Sequence, residues 1–405
     1  MAARPPQEVI LSTFQKYKVR RGRNGHIAIW LEVVAAVVAI VGVTTAWQVG
    51  VGPFAKAPPA AAASPRPAVT VTPMQVVSVT PAPGSSTAPG TSPITVTFSD
   101  RLAPGAADPV LIPSTPGNWV QSGTHSLTFT PTGAYLPGTQ VTVRIPGGAR
   151  HGELAVDGAR LASPVTDTFT VGPGSTERLQ QLLSLLDYSP LTWTPSGPAI
   201  VANDLAAQQQ AIFSPPGGSF AWTNAGWPAT LTSQWQEGAY NVFTKGLVME
   251  FQADHELTVN GVPTIGLWND LLLALASNQV NTGGYNYALA SKTPLPETLT
   301  IWHDGQQVLH SLANTGISVR PTGDGTFPVY ERLRNQTMTG TNPNGTHYSD
   351  PVQFVAYFNG GDAVHYFPRA AYGWPQSLGC VELPLAQAAQ AWSYLAYGTL
   401  VTVTG

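Results

Sequence analysis

The only cysteine of this 405-residue chain, Cys380, ends the run Ser377-Leu-Gly-Cys, and His365 stands fifteen residues before it. A thiol attacks a carbonyl as the thiolate, so it needs a base within reach and a backbone that lets substrate come close. His365 is the candidate base and Gly379 the point of close approach. The predicted elements put the thiol on a loop. Residues 362–365 read as a strand, and Pro384 opens a helix carrying Leu385, Ala388, Ala389, Trp392 and Leu395. A loop cysteine just before a helix exposes its sulfur and offers backbone N–H groups to an oxyanion.

Composition removes other chemistries. The formal net charge is -3, so nothing supplies the phosphate-neutralising surface of a nucleic-acid binder. One cysteine forms no intramolecular disulfide. No His-Glu-x-x-His run or other tight ligand cluster points to a metal, and no cofactor is expected. No Lys or Arg follows Cys380, as a sortase requires, and no His follows it, as an NlpC/P60-type peptidase requires.

The rest of the chain must position and deliver this pair. Residues 1–27 carry Arg4, Lys16, Lys18, Arg20, Arg21 and Arg23 against one acid, Glu8. Residues 28–51 are long and apolar enough for a transmembrane helix. The basic flank places the N-terminus in the cytoplasm and the rest outside the cell membrane. A signal peptide cleaved at 55–57 is the alternative, but the apolar run exceeds a signal core and Pro58 suits the cut poorly. Residues 52–72, rich in Pro and Ala, predict an extended spacer. Residues 73–172 show alternating strands at 75–79, 94–98, 126–129, 140–145 and 167–171, the pattern of an antiparallel sandwich. No convergent set of ionisable groups is expected there, and His125 and His151 read as loop residues.

From Ser175 the period becomes helical, with Leu179, Leu182, Leu183 and Leu186 on one face. Further helices start near Thr244 and Thr264, giving a small α-helical domain over 173–280 with an insertion at 190–240. Residues 297–405 return to strands. A hairpin at 299–303 and 306–310 turns on Asp304-Gly305, a type I′ signal. Strands follow at 325–330, 352–358 and 362–365, then the late helix, then a strand from 399.

Three resemblances attach to these segments. Tyr135-Leu-Pro-Gly-Thr-Gln-Val-Thr-Val resembles the late strands of bacterial Ig-like domains. Residues 246–268, with His255-Glu-Leu257 and Asn260-Gly261, resemble a peptidoglycan-binding-like helical domain, although the 190–240 insertion departs from its compact pattern. Asn314-Thr-Gly316, Pro321-Thr-Gly-Asp-Gly-Thr-Phe327, Met338-Thr-Gly340 with Asn342-Pro-Asn-Gly345, Val364-His365 and Ser377-Leu-Gly-Cys-Val381 come in the order of an L,D-transpeptidase catalytic domain of the YkuD type. The chain is thereby expected to be multidomain: transmembrane helix, all-β Ig-like sandwich, peptidoglycan-binding-like helices and a mostly β catalytic domain with one late helix.

That resemblance implies a cysteine-dependent acyltransferase working on peptidoglycan stem peptides and glycan strands at the cell-wall side of the membrane. Cys380 would be the nucleophile and His365 the general base and acid. The Gly379 backbone would bind the oxyanion, Ser377 would order the loop, and Tyr330, Met338 and His347 would wall the substrate. The product would be a 3→3 cross-link. Hydrolysis of the same stems, or wall binding without catalysis, are the competing readings. The last is motivated by departures from the family pattern: Tyr366 after the histidine, Leu378 in place of a second histidine, and Glu382 in place of Arg or Asn. A carboxylate at 382 pointing inward disfavours a thiolate unless a cation such as Arg369 holds it.

Overall fold

The computed structural model describes residues 72–405, so the basic segment 1–27, the apolar stretch 28–51 and the spacer up to residue 71 lie outside the described residues. Among the described residues no helix is long and apolar enough to cross a membrane.

Seven strands build the first layer pair: β1 (Val76–Thr80), β2 (Ile94–Phe98), β3 (Val110–Ile112), β4 (Gly117–Gln121), β5 (Ser126–Pro131), β6 (Gln140–Ile145) and β7 (Val165–Thr170). They form a four-stranded sheet in the order β1-β2-β5-β4 and a three-stranded sheet β3-β6-β7. Period-two alternation decides which side chains enter the sandwich: Ile94, Val96 and Phe98 from β2 join Val141, Val143 and Ile145 from β6 in one core. The edge strands β3 and β4 lie where no strand was expected, among Pro109, Pro113 and Pro116.

One acid of this domain is buried: Glu153 is 1% exposed. Burial pushes its carboxyl up to about 7, opposed by the Ala107 backbone and reinforced by Asp108. The folded-state value lies above the unfolded one, so the domain is most stable below the ordinary carboxylate range and loses stability as pH rises through 7. Glu153→Gln is therefore expected to stabilise the protein by about 1–3 kcal/mol at pH 8 and to change little at pH 4.5, read by thermal denaturation at both.

The helical segment contains α1 (Thr176–Leu185), β8 (Leu191–Pro195), α2 (Leu205–Ala211), β9 (Gly218–Trp222), α3 (Ala229–Thr232), α4 (Val242–Asp254) and α5 (Ile265–Ser277). Ser175, Asp204, Asn241 and Thr264 cap their helices with side-chain oxygens, satisfying first-turn N–H groups. The predicted insertion folds as the β8–β9 hairpin with α2 and α3, and it sends Trp227 and Leu231 into the helical core. Gly246 in mid-α4 has a reason. A Cβ there would lie 2.6 Å from the Gly398 carbonyl oxygen, so glycine lets the helix pack directly on backbone.

The last segment holds β10 (Asn286–Ser291), β11 (Thr298–His303), β12 (Gln306–Leu312), β13 (Gly325–Pro328), β14 (Glu331–Thr341), β15 (His347–Asn359), β16 (Asp362–Tyr366), β17 (Val381–Leu383), α6 (Leu385–Tyr394) and β18 (Leu400–Thr404). One sheet runs β12-β11-β10-β18-β13 and the other β14-β15-β16-β17. The Asp304-Gly305 turn has both residues at positive φ, as a type I′ hairpin requires. The expected domain start at 297 is too late: β10 lies before it and is the central strand of the first sheet. Tyr287 of β10 and Leu400 of β18 are buried in the same core as α1, α4 and α5.

Candidate active site

The site begins with strand pairing. β16 and β17 run parallel, with Val364 opposite Val381 and His365 opposite Glu382. Alternation then puts His365, Glu382 and Cys380, which immediately precedes β17, on one face of the sheet. All three line a cleft of about 760 Å³. The long β14–β15 hairpin contributes Gln336, Met338 and Tyr357 to its wall, and the hairpin tip adds Asn342. No residue of 190–240 lines it.

The cysteine loop rests on buried polar pairings. Ser377 Oγ donates to the Cys380 carbonyl at 2.5 Å and accepts from the Gly379 N–H at 3.2 Å. Beneath it, Asn314 and Glu382 exchange backbone hydrogen bonds, and the Ile317 N–H bonds to the Ser377 carbonyl. Thr315 gives its N–H and Oγ1 hydrogen to the two oxygens of Glu297, at 2.6 and 2.7 Å. Glu297 is 1% exposed, and this is a backbone clamp made of one carboxylate. The Asn314-Thr-Gly316 motif thus buttresses the loop. Gly379 sits at φ 126°, and a Cβ there would lie 2.5 Å from Asp362 Oδ1.

Charge decides the resting state. Burial pushes the Cys380 thiol up to about 12, with Asp362 and Glu382 adding to the effect. Its Sγ–H points to the Gly361 carbonyl at 3.7 Å. His365 is 3% exposed, and burial moves its imidazole below the usual range. His365 Nδ1 lies 3.0 Å from the Tyr366 carbonyl, an acceptor that fixes the proton on Nδ1 and leaves Nε2 as the basic atom. Burial thus favours the neutral form of both the thiol and the imidazole.

Glu382 points inward, and Arg369 holds it. The guanidinium donates through Nε and Nη2 to the two carboxylate oxygens, each at 2.7 Å, and through Nη2 to the Gln376 carbonyl at 3.1 Å. This fork geometry neutralises the carboxylate inside the cleft. Arg369 also lies 4.6 Å over the Phe367 ring.

The structure brings together Cys380, His365, Gly379, Ser377 and Met338. Three expectations are corrected. Gly379 already gives its N–H to Ser377 Oγ, so its service to the loop is conformational. Tyr330 precedes Met338 by eight residues of extended chain and faces a different cavity with Leu257 and Tyr397. His347 is exposed at the hairpin tip, its Nδ1 3.2 Å from Thr341 Oγ1, and does not line the cleft. Glu297 and Asp362 carried no recognisable signal, because isolated acids are common and only the fold places them; Thr315 was visible only as part of the Asn314-Thr-Gly316 motif.

The two-sheet β domain thus sets a cysteine and a histidine on one face of a parallel strand pair, in a cleft walled by a long hairpin. Residues 287–403 match the L,D-transpeptidase catalytic domain family, and residues 70–171 match the bacterial Ig-like domain family. Each likeness holds over the matched segment alone. Similar solved structures include an L,D-transpeptidase from Mycobacterium smegmatis, 14% identical over 82% of this chain and 100% of that one, TM-score 0.28. L,D-transpeptidase 3 from Mycobacterium tuberculosis with a faropenem-derived adduct is 14% identical over 82% and 98%, TM-score 0.28. The catalytic domain of an E. faecium L,D-transpeptidase is 25% identical over 29% and 96%, TM-score 0.27. No curated protein matches the chain.

Proposed function

We propose that the protein is a peptidoglycan L,D-transpeptidase that forms 3→3 cross-links through a thioacyl-enzyme on tetrapeptide stems. The observation that supports this most is the placement of Cys380 and His365 on one face of adjoining parallel strands, in a cleft walled by the β14–β15 hairpin. His365 Nε2 takes the thiol proton as sulfur attacks the carbonyl before the terminal residue of the donor. The tetrahedral oxyanion is met by the Cys380 N–H. As that intermediate collapses, the proton passes to the leaving amine. A side-chain amine of a neighbouring stem then attacks the thioester, loses its proton to His365 and releases the thiol.

The N-terminal residues 28–51 anchor the protein in this reading, with the described residues on the cell-wall side and the helical segment as a glycan-facing module. The test is mass spectrometry of the full chain with a stem tetrapeptide. An adduct on the native protein that vanishes in Cys380→Ala is the expected result. A folded native protein that forms none overturns the reading. Products with and without added acceptor amine separate transfer from hydrolysis.

A further inference from the structure

The cleft holds one carboxylate that formation of the thioacyl-enzyme does not use and is hindered by. Asp362 opens β16 and lines the cleft with Tyr357, Gly361 and Cys380. The Cys380 Sγ–H points to the carbonyl of Gly361, the residue before this acid. On the other side, a Cβ on Gly379, the residue before the cysteine, would lie 2.5 Å from Asp362 Oδ1. The carboxylate therefore stands beside the thiol, and its charge adds to the burial that pushes the thiol up.

Its own partners are weak and one-sided. Oδ2 accepts from the Gly323 N–H at 3.3 Å and from Asn359 Nδ2 at 3.4 Å, both long bonds. Among the described residues no donor reaches Oδ1, and Asp362 joins no ion pair. The contrast with Glu382 is direct: that carboxylate is neutralised by the Arg369 fork, and this one faces the cleft without a cation of its own chain.

An anion left open beside a nucleophile is a cost before acylation and none after it. Once the sulfur is part of a neutral thioester, no charge on it opposes Asp362. The next reactant must reach the carbonyl carbon bonded to that sulfur, and it comes as a cation. A side-chain amine of the lysine type titrates at about 10, so at neutral pH it is an ammonium.

We propose that Asp362 is the acceptor-binding residue of the cleft, holding the ammonium of the incoming stem against the thioester. The proposal rests on the transpeptidase reading and names the group that selects its acceptor. The ammonium gives one proton to the Asp362 carboxylate, which burial already shifts towards its neutral form. The amine nitrogen then bonds to the thioester carbon, its second proton passes to His365 Nε2, and the C–S bond breaks. The imidazolium returns that proton to the sulfur, and Asp362 releases its own to water.

The experiment loads the full-length protein with a stem tetrapeptide. Mass spectrometry then follows decay of the thioester with Nα-acetyl-lysinamide or with methoxyamine, an amine uncharged at neutral pH. Native protein should prefer the cationic amine, and added salt should lower that preference. Asp362→Asn keeps an acceptor for the Gly323 N–H and should keep the melting temperature. It should form the thioester faster, because an anion has left the thiol, and should lower the preference for the cationic amine at least tenfold. Slower acylation in this variant would mean that Asp362 holds the donor or the fold, and would overturn the proposal. So would an unchanged preference or, should the variant not fold, a native preference indifferent to salt. No thioester on the native protein overturns the transpeptidase reading and this proposal with it. A thioester whose amine preference ignores Asp362 overturns this proposal alone.

Discussion

Arg369→Ala is expected to lower the rate of thioacyl-enzyme formation about 100-fold, near 2.7 kcal/mol of barrier, and to lower stability by about 2–4 kcal/mol. The substitution removes both prongs of the fork on Glu382 and the bond to the Gln376 carbonyl. It leaves a carboxylate with a 5% exposed side chain on the same face as the thiol and the imidazole. An unpaired anion there opposes formation of a thiolate, and it takes more than it gives by stabilising an imidazolium, because the sulfur must carry charge first. Charge compensation makes a further demand. Arg369→Ala/Glu382→Gln should recover most of the lost rate, measured by stopped-flow acylation, and most of the melting temperature. A double variant no better than the single one would show that Arg369 acts by shape alone.

The second large effect concerns the thiol itself. With Cys380 pushed up to about 12 from an ordinary value of 9.0, its thiolate fraction at pH 7 is about 1,000-fold below that of a free thiol. Alkylation by iodoacetamide should be slower by about one to two orders of magnitude, since the thiolate of a high-pKa thiol is also the better nucleophile, and should keep rising with pH to beyond 9. A plateau near neutral pH would mean a preformed thiolate–imidazolium pair. The sign follows from burial: both groups favour their neutral forms, so nucleophile activation waits for substrate to fill the cleft and for His365 to take the proton. Since burial moves His365 downward, the basic form already dominates at neutral pH, and acylation should fall only in acid.

The chemical pair was legible because its residue types are rare. One cysteine and eight histidines leave few combinations, and the strand-then-loop pattern around 362–380 narrows them further. The Ig-like sandwich and the hairpin on Asp304-Gly305 were legible through period-two alternation and turn chemistry. The Arg369–Glu382 pair was legible only as one option, because thirteen residues of irregular chain decide whether the guanidinium returns to the carboxylate. The misplacements of Tyr330 and His347 have a common cause. Along an extended strand eight residues cover about 26 Å, so sequence proximity to Met338 says little about proximity in the cleft.

The packing of α1, α4 and α5 against Tyr287 and Leu400 makes the family boundary at 287 a line on the sequence rather than in the energetics. The central strand β10 and its neighbour β18 present their outer face to helices that belong to no part of the matched catalytic segment. Cut at 287, the catalytic fold would carry an uncovered patch of Leu, Tyr and Trp, the kind of surface that drives aggregation. The helical segment is therefore a lining of the same folded unit as that sheet. Its core leucines, Leu179, Leu182, Leu183 and Leu186, are held by that packing whatever else the segment contacts.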